Sequence, residues 1–416
     1  MTLLIFQMAI VLGISLVCGR IARRLGQTRV IGEIVGGILI GPSVLGRIAP
    51  NISASIFPQS SLRSLDVLST VGLVLFLFLI GSELDYEHLR QQKATATLAS
   101  FMSIVLPFGM AALAAPLLRA RFSPGAIGPS PFTLFLGVSM SITAFPVLAR
   151  ILEERSMHLS SLGATALICA AVDDVVAWML LAVALTLIPS GDAAAPSSYR
   201  LLWLGAYLIV MFVVIRPLGV WLARRHAGMM LSYELLGTIL VLVLASAAVT
   251  DAIGVHPLFG AFLAGLCFPR VKTWQTALRT RLDVIISLLL LPLFFALTGM
   301  RTRLDLLSDS RIWLWTAFVL LLAVAGKMGG AMIAARWTGQ GWRASIALGA
   351  LLNTRGLVEL IVLNIAYNAH VFSPTLFTML VVMALITTAM TTPILDWLKV
   401  GTANTAPQDL TLFQVP

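Results

Sequence analysis

The sequence predicts an all-α polytopic membrane protein, and three observations predict it. Of 416 residues, 59% are hydrophobic and only 11% are charged, against roughly 45–50% and about 25% in soluble domains. The mean hydropathy is +0.97. The apolar residues gather in runs on the scale of a bilayer crossing, which takes about 20 residues, and the gaps between runs hold no stretch able to form a soluble domain. A water-soluble globule of this size could not cover its surface with so few charges. Three cysteines, all in apolar runs, exclude a disulfide-built secreted scaffold. The hydrophobicity excludes disorder.

Thirteen runs are legible, at about 2–18, 30–47, 65–82, 94–117, 131–151, 159–188, 201–223, 232–250, 256–269, 282–299, 312–335, 342–367 and 375–397. The first lacks a preceding basic stretch and a small-residue cleavage site, so it reads as a retained helix and not as a signal peptide. Arg20, Arg23 and Arg24 follow it and set the orientation. With the gap at 19–29 placed in the cytoplasm, seventeen Lys and Arg fall in gaps on that side and eight on the other. That bias puts the N-terminus outside and the C-terminus, with a short tail at 401–416, inside. The net charge of +10 is therefore read as a topology signal. It does not indicate a nucleic-acid surface.

The chain also echoes itself. Gly36-x4-Gly41 in the second run returns as Gly260-x4-Gly265 in the ninth, and LFLFLIGSELD in the third as LFFALTGMRTRLD in the tenth. LGVSMSITAFPV in the fifth is matched by LGALLNTRGLVE in the twelfth. The echoes keep their order at offsets of roughly 210–225 residues. They pair runs 1–6 with runs 8–13, and seven helices separate the partners, so the halves enter the membrane in opposite directions. The expectation is two inverted six-helix repeats (about 1–188 and 232–398) joined by a linker helix at about 201–223, an architecture of secondary transporters. All of 1–400 is expected to form one transmembrane unit.

Ionisable residues deep in a membrane are costly and are functional candidates. Asp173 and Asp174 lie mid-run in ICAAVDDVVAW, Lys327 mid-run in AVAGKMGGA, and Arg355 and Glu359 mid-run in LLNTRGLVELIV. Glu33, Glu234, Asp251, Asp283 and Arg216 lie nearer run ends, where interfacial snorkelling accounts for them. Adjacent carboxylates sit about 100° apart on a helix, so one can face Lys327 while the other faces a cavity. A carboxylate can hold a hard cation or a proton, and a site where the two compete is a minimal antiporter. The fifth and twelfth runs look interrupted, by Thr143-Ala144-Phe145-Pro146 and by Asn353-Thr354-Arg355-Gly356. Interrupted spans at matching points of two repeats point to a transporter's binding site. Unwound backbone there offers carbonyls to a cation, and Arg355 and Glu359 can balance the half-helix ends. The five histidines lie in gaps or near run ends, none spaced for a metal. No phosphate-binding loop or nucleophile elbow is present, which argues against an ATP-driven pump or a hydrolase.

GQTRVIGEIVGGILIGPSVLG (26–46), FLFLIGSELD (76–85), SITAFPVLARILEE (141–154), AAVDDVVAW (170–178), GKMGGA (326–331) and NTRGLVELIVLN (353–364) together resemble the second branch of the monovalent cation:proton antiporter family. That branch includes bacterial Na+/H+ antiporters, plant cation/H+ exchangers and the membrane part of bacterial K+ efflux systems. The resemblance implies thirteen helices, a dimerisation domain, and a mobile core in which two broken helices cross beside the acidic pair. It implies that Asp174 binds H+ and the cation in turn, with Asp173 as its partner and Lys327 paired to Asp173. It places Thr143 and Pro146 at one crossing strand, and Asn353, Arg355 and Glu359 at the other. The cation, Na+ or K+, would lie against Asp174, Asp173 and Thr143. No nucleotide-binding domain of the K+ efflux type is seen in the chain.

The reading is a homodimer of the bacterial inner membrane that exchanges Na+ for protons without a cofactor, electrogenically, by an elevator motion. It is not an enzyme. A K+/H+ exchanger using the same residues is the alternative, followed by a sodium-coupled symporter for an organic solute. An ion channel would need a selectivity-filter segment, and none is present.

Overall fold

Helix accounts for 86% of the described residues, and no strand occurs among them. The structure, a computed structural model, describes residues 2–83, 93–124, 128–155, 157, 160–187, 197–225, 231–253 and 257–401. Of the histidines, His88, His158, His226 and His256 lie outside these, as do residues 402–416 of the tail. The helices are α1 Thr2–Arg24, α2 Arg29–Ile40, α3 Leu45–Ile48, α4 Pro50–Ile56, α5 Gln59–Glu83, α6 Lys93–Phe122, α7 Pro129–Ser141, α8 Phe145–Glu154, α9 Ser161–Thr186 and α10 Ser197–Ile209. They continue as α11 Arg216–Arg225, α12 Tyr233–Ile253, α13 Pro257–Cys267, α14 Lys272–Ile285, α15 Leu291–Arg301, α16 Ser310–Trp337, α17 Trp342–Leu352, α18 Leu357–Asn368 and α19 Pro374–Trp397. π-Helical turns at Val210–Ile215 and Ile286–Leu290 join α10 to α11 and α14 to α15.

Ten of the described helical stretches are long and apolar enough to cross a membrane. Large apolar side chains lie exposed along them, Leu113, Val213, Val241 and Leu321 among them, as a lipid-facing surface requires. Trp313, Trp337, Trp342 and Trp397 are exposed at or near helix ends, where aromatic side chains favour the lipid–water boundary. Hydropathy places the tenth run at 282–299, but the helix begins ten residues earlier, at Lys272. In that first stretch only Trp274, Leu278 and Leu282 are buried, an i, i+4, i+8 stripe too sparse to register as an apolar run.

Contacts group the chain into two compact units. One comprises Met1–Val17, Glu33–Asp85 and Leu185–Gly299. Its helices approach closely at glycines: a side chain at Gly299 would strike the backbone of Ile34, Gly37 and Ile38, and one at Gly81 would strike that of Phe262, Gly265 and Leu266. Bilayer helices gain little from hydrophobicity against one another and pack where small residues let backbones meet. Glu33, read as interfacial, is buried.

The second unit comprises Cys18–Gly32, Tyr86–Ala184 and Met300–Pro416, and it holds every candidate site residue. Its spine is α16 against α6. On α16 the buried positions Thr316, Val319, Ala323, Gly326, Gly330 and Ala334 form a narrow stripe of mostly small residues at helical spacing. Gly326 meets Pro107 and Gly330 meets Met102 of α6. Lys327 lies on the same face, between the two glycine contacts, with no exposure, so close packing of the small residues is what carries a lysine into the interior. Cys169, in this unit, is buried and unpaired, as are Cys18 and Cys267.

Candidate functional site

Two helices stop midway. α7 ends at Ser141 and α8 begins at Phe145, while α17 ends at Leu352 and α18 begins at Leu357. The interruptions meet, since the Ala144 N–H donates to the Thr354 carbonyl at 2.9 Å. The break in the first span precedes the proline. Pro146 is the second residue of α8, in the first turn where proline is tolerated, and it cannot donate the bond to the Ile142 carbonyl that a helix continuous with α7 would need.

What holds the backbone open is a set of replacement bonds. The free carbonyls at the C-terminal end of α7 carry partial negative charge, and two buried cations cover them. Arg355 donates to the carbonyls of Ser139 at 2.6 Å and Met140 at 2.7 Å, and the Lys327 ammonium donates to that of Ser141. At the other break, α19 supplies threonines. The Thr388 hydroxyl accepts from the Arg355 N–H at 2.9 Å and donates to the Arg355 carbonyl at 2.8 Å. Thr391 donates to the Ala350 carbonyl at 3.2 Å. Removing the Thr388 hydroxyl leaves two buried backbone groups unpaired, each costing about 1–3 kcal/mol. Thr388→Val is therefore expected to lower the melting temperature in detergent, and Thr388→Ser to restore most of it. Equal losses in both variants would show that the hydroxyl does not hold the break.

Beside the crossing runs α9, with Asp173 and Asp174 both 1% exposed. Asp173 Oδ2 is 2.5 Å from Lys327 Nζ, an ion pair with no solvent access on either side. It also accepts from the Thr143 hydroxyl at 2.6 Å, and Thr143 reaches the Leu352 carbonyl at 2.9 Å, one proton set between two acceptors. Ser103 of α6 stands 3.4 Å from Asp173 Oδ1. Asp174 lies within electrostatic range of Asp173 and Lys327, and its Oδ1 has no hydrogen-bond partner. The adjacent acids thus divide as helix geometry requires: one is engaged by a lysine, the other has a free buried oxygen. Glu359, in the first turn of α18, is fully buried 3.6 Å from Arg355, with no hydrogen bond to either oxygen. The structure gathers Thr143, Asp173, Lys327 and the backbone of Asn353, Thr354 and Arg355 around one crossing. Of Pro146 it gives only the backbone position.

Ser103, Thr388 and Thr391 were not singled out in the sequence. Ser103 gives no signal there, being one small polar residue in an apolar run. The threonines do, because TTAMTT at 387–392 is a polar cluster inside an otherwise apolar helix. Among the described residues no group of three His, Cys, Asp or Glu is placed to hold a metal ion.

The family described as sodium/hydrogen exchanger, transmembrane, matches residues 11–398. The chain is 39% identical over 394 residues to the Na+/H+ antiporter NhaS4 of Synechocystis sp., covering 94% of this chain and 96% of that one. It is 40% identical over 395 residues to cation/H+ antiporter 19 of Arabidopsis thaliana, again over 94% of this chain, but spans only 49% of that protein's length. The sodium proton antiporter MjNhaP1 of Methanocaldococcus jannaschii shares the fold, with a TM-score of 0.65 at 15% identity over 95% of this chain and 97% of that one. The chain therefore belongs to the transmembrane sodium/hydrogen exchanger family.

Proposed function

We propose that this protein is a secondary active antiporter that exchanges Na+ for H+ across the bacterial inner membrane, through a single site at Asp174. One observation carries the reading: a carboxylate with a free oxygen lies buried where two broken helices cross, beside a second carboxylate already neutralised by Lys327. An empty ionised acid is costly at that depth, whereas a bound proton or a bound cation removes the charge. Only loaded states then pass readily between the two sides, and exchange becomes obligatory. A cation arriving at the acid pair also competes with Lys327 for Asp173. If Lys327 releases its proton at that step, two protons move per cation and the cycle is electrogenic. Thr143 joins Asp174 and Asp173 as a cation ligand, and Arg355 and Glu359 balance the half-helix ends.

The finer architecture in this reading is thirteen crossings, as two inverted six-helix repeats with a linker helix. Contacts within each unit support it. If α2 corresponds to α13 and α5 to α15, the glycine contact of α2 with α15 becomes the image of that of α5 with α13. In the second unit the interrupted pair α7–α8 crosses its counterpart α17–α18. The N-terminus lies outside and the C-terminus in the cytoplasm, the protein is a homodimer, and the second unit moves elevator-fashion. K+ in place of Na+ is favoured by one observation, 34% identity over 405 residues to K+/H+ antiporter 1 of Saccharomyces cerevisiae, of which the chain spans 46%. Competition at one site gives the test. Raising the cation concentration should lower the pH of half-maximal exchange by about one unit per tenfold in the saturating regime. A midpoint insensitive to the cation would mean separate sites.

A further inference from the structure

Apart from the Glu359 oxygens, which face the Arg355 guanidinium at 3.6 Å, the crossing leaves two buried side-chain oxygens with neither a hydrogen bond nor an ion pair among the described residues. Besides Asp174 Oδ1, Asn353 Oδ1 is buried and unpartnered, on a residue 1% exposed. Leaving a buried amide oxygen unpaired is costly, so its place in the interior calls for a ligand. The backbone of Asn353 is not free to supply an alternative, since its N–H closes the last turn of α17 onto the Gly349 carbonyl at 3.0 Å.

Nearby oxygens are already engaged. The Ser139 and Met140 carbonyls accept from Arg355, that of Ser141 from Lys327, that of Ala350 from Thr391 and that of Thr354 from Ala144. Of the unwound carbonyls expected to serve a cation, those of Thr354 and Arg355 already accept a hydrogen bond. Position then singles out Asn353. The Thr143 hydroxyl links Asp173 Oδ2 to the Leu352 carbonyl at 2.6 and 2.9 Å. Asp174 follows Asp173, and Asn353 follows Leu352. The residues that carry the two unpartnered oxygens therefore each adjoin one end of a short bridge.

We propose that Asn353 supplies a neutral oxygen ligand to the monovalent cation held by Asp174. The assignment rests on the antiporter reading and adds to it. Hard monovalent cations take oxygen ligands that are anionic or neutral, whereas a proton is bound by the carboxylate alone. An amide oxygen beside Asp174 thus strengthens the site for the cation without adding a second titrating acid, and shifts the competition in the cation's favour.

The test is calorimetric titration of the detergent-purified full chain with NaCl and with KCl. Asn353→Ala should weaken cation binding by about tenfold or more, the scale on which metal sites respond to loss of one supporting group. Asn353→Asp, with the same shape and an oxygen in the same place, should bind at least as tightly as the wild type. If the alanine variant loses the fold, Asn353→Leu, branched as asparagine is, serves the same comparison. Wild-type affinity in the alanine or leucine variant would overturn the assignment, as would equal losses in the aspartate and alanine variants. A wild type that binds neither ion would overturn the antiporter reading first, and this assignment with it.

Discussion

Asp174→Asn is expected to abolish exchange while leaving a folded, membrane-inserted protein. The amide keeps the shape of the carboxyl but can neither take up a proton in this range nor offer a full charge to a cation, so both half-reactions fail together. The fold has little reason to suffer. Asp174 makes no ion pair among the described residues, and its Oδ1 is unbonded, so the substitution removes a buried charge without orphaning a partner. Exchange should fall to the level of protein-free vesicles, with melting temperature and elution volume in detergent close to the wild type. Substantial exchange by this variant would move the shared site elsewhere.

Lys327 should behave differently, because its loss strands a partner. Lys327→Gln leaves Asp173 buried without its cation and withdraws a charged donor from the Ser141 carbonyl. Breaking a buried pair from one side costs about 3–5 kcal/mol, and the melting temperature should drop accordingly. Replacing both partners, Asp173→Asn with Lys327→Gln, should recover much of it, since no uncompensated charge remains. Stability alone cannot say whether Lys327 also carries a proton, but the membrane potential can. Wild-type exchange should accelerate under an imposed potential of the appropriate sign, and Lys327→Gln should lose much of that response. Potential-independent exchange by the wild type would reject electrogenic exchange. An unchanged response in the variant would leave Lys327 a structural residue.

Much of this site was legible because a charge inside an apolar run has so few explanations. Asp173, Asp174, Lys327, Arg355 and Glu359 stand out in the sequence for that reason, and all five are buried in one unit. Both interruptions could be placed from Thr143–Pro146 and Asn353–Gly356. Which group answers which could not. Arg355 was expected to balance a half-helix end, but that it grips Ser139 and Met140, some 216 positions away, depends on how α7 and α17 cross, and hydropathy does not encode a crossing. The stabilising role of α19 was missed for a related reason. A threonine in a membrane helix commonly bonds its own preceding turn, as Thr387 does with the Met383 carbonyl, and only packing shows that Thr388 and Thr391 turn outward to the break. Helix ends misled where one face alone is apolar, as in the Lys272 stretch of α14.

Coupled exchange of a monovalent cation for protons is the activity on which every other expectation rests. Purified protein in liposomes enclosing a pH-sensitive dye, with an acid interior, tests it most directly when each cation is added to the outside in turn. Addition of Na+, or of K+ if that is the substrate, should raise the lumenal pH in a saturable way that Asp174→Asn abolishes. A lumenal pH that no monovalent cation changes, in vesicles shown to contain folded wild-type protein, would contradict it.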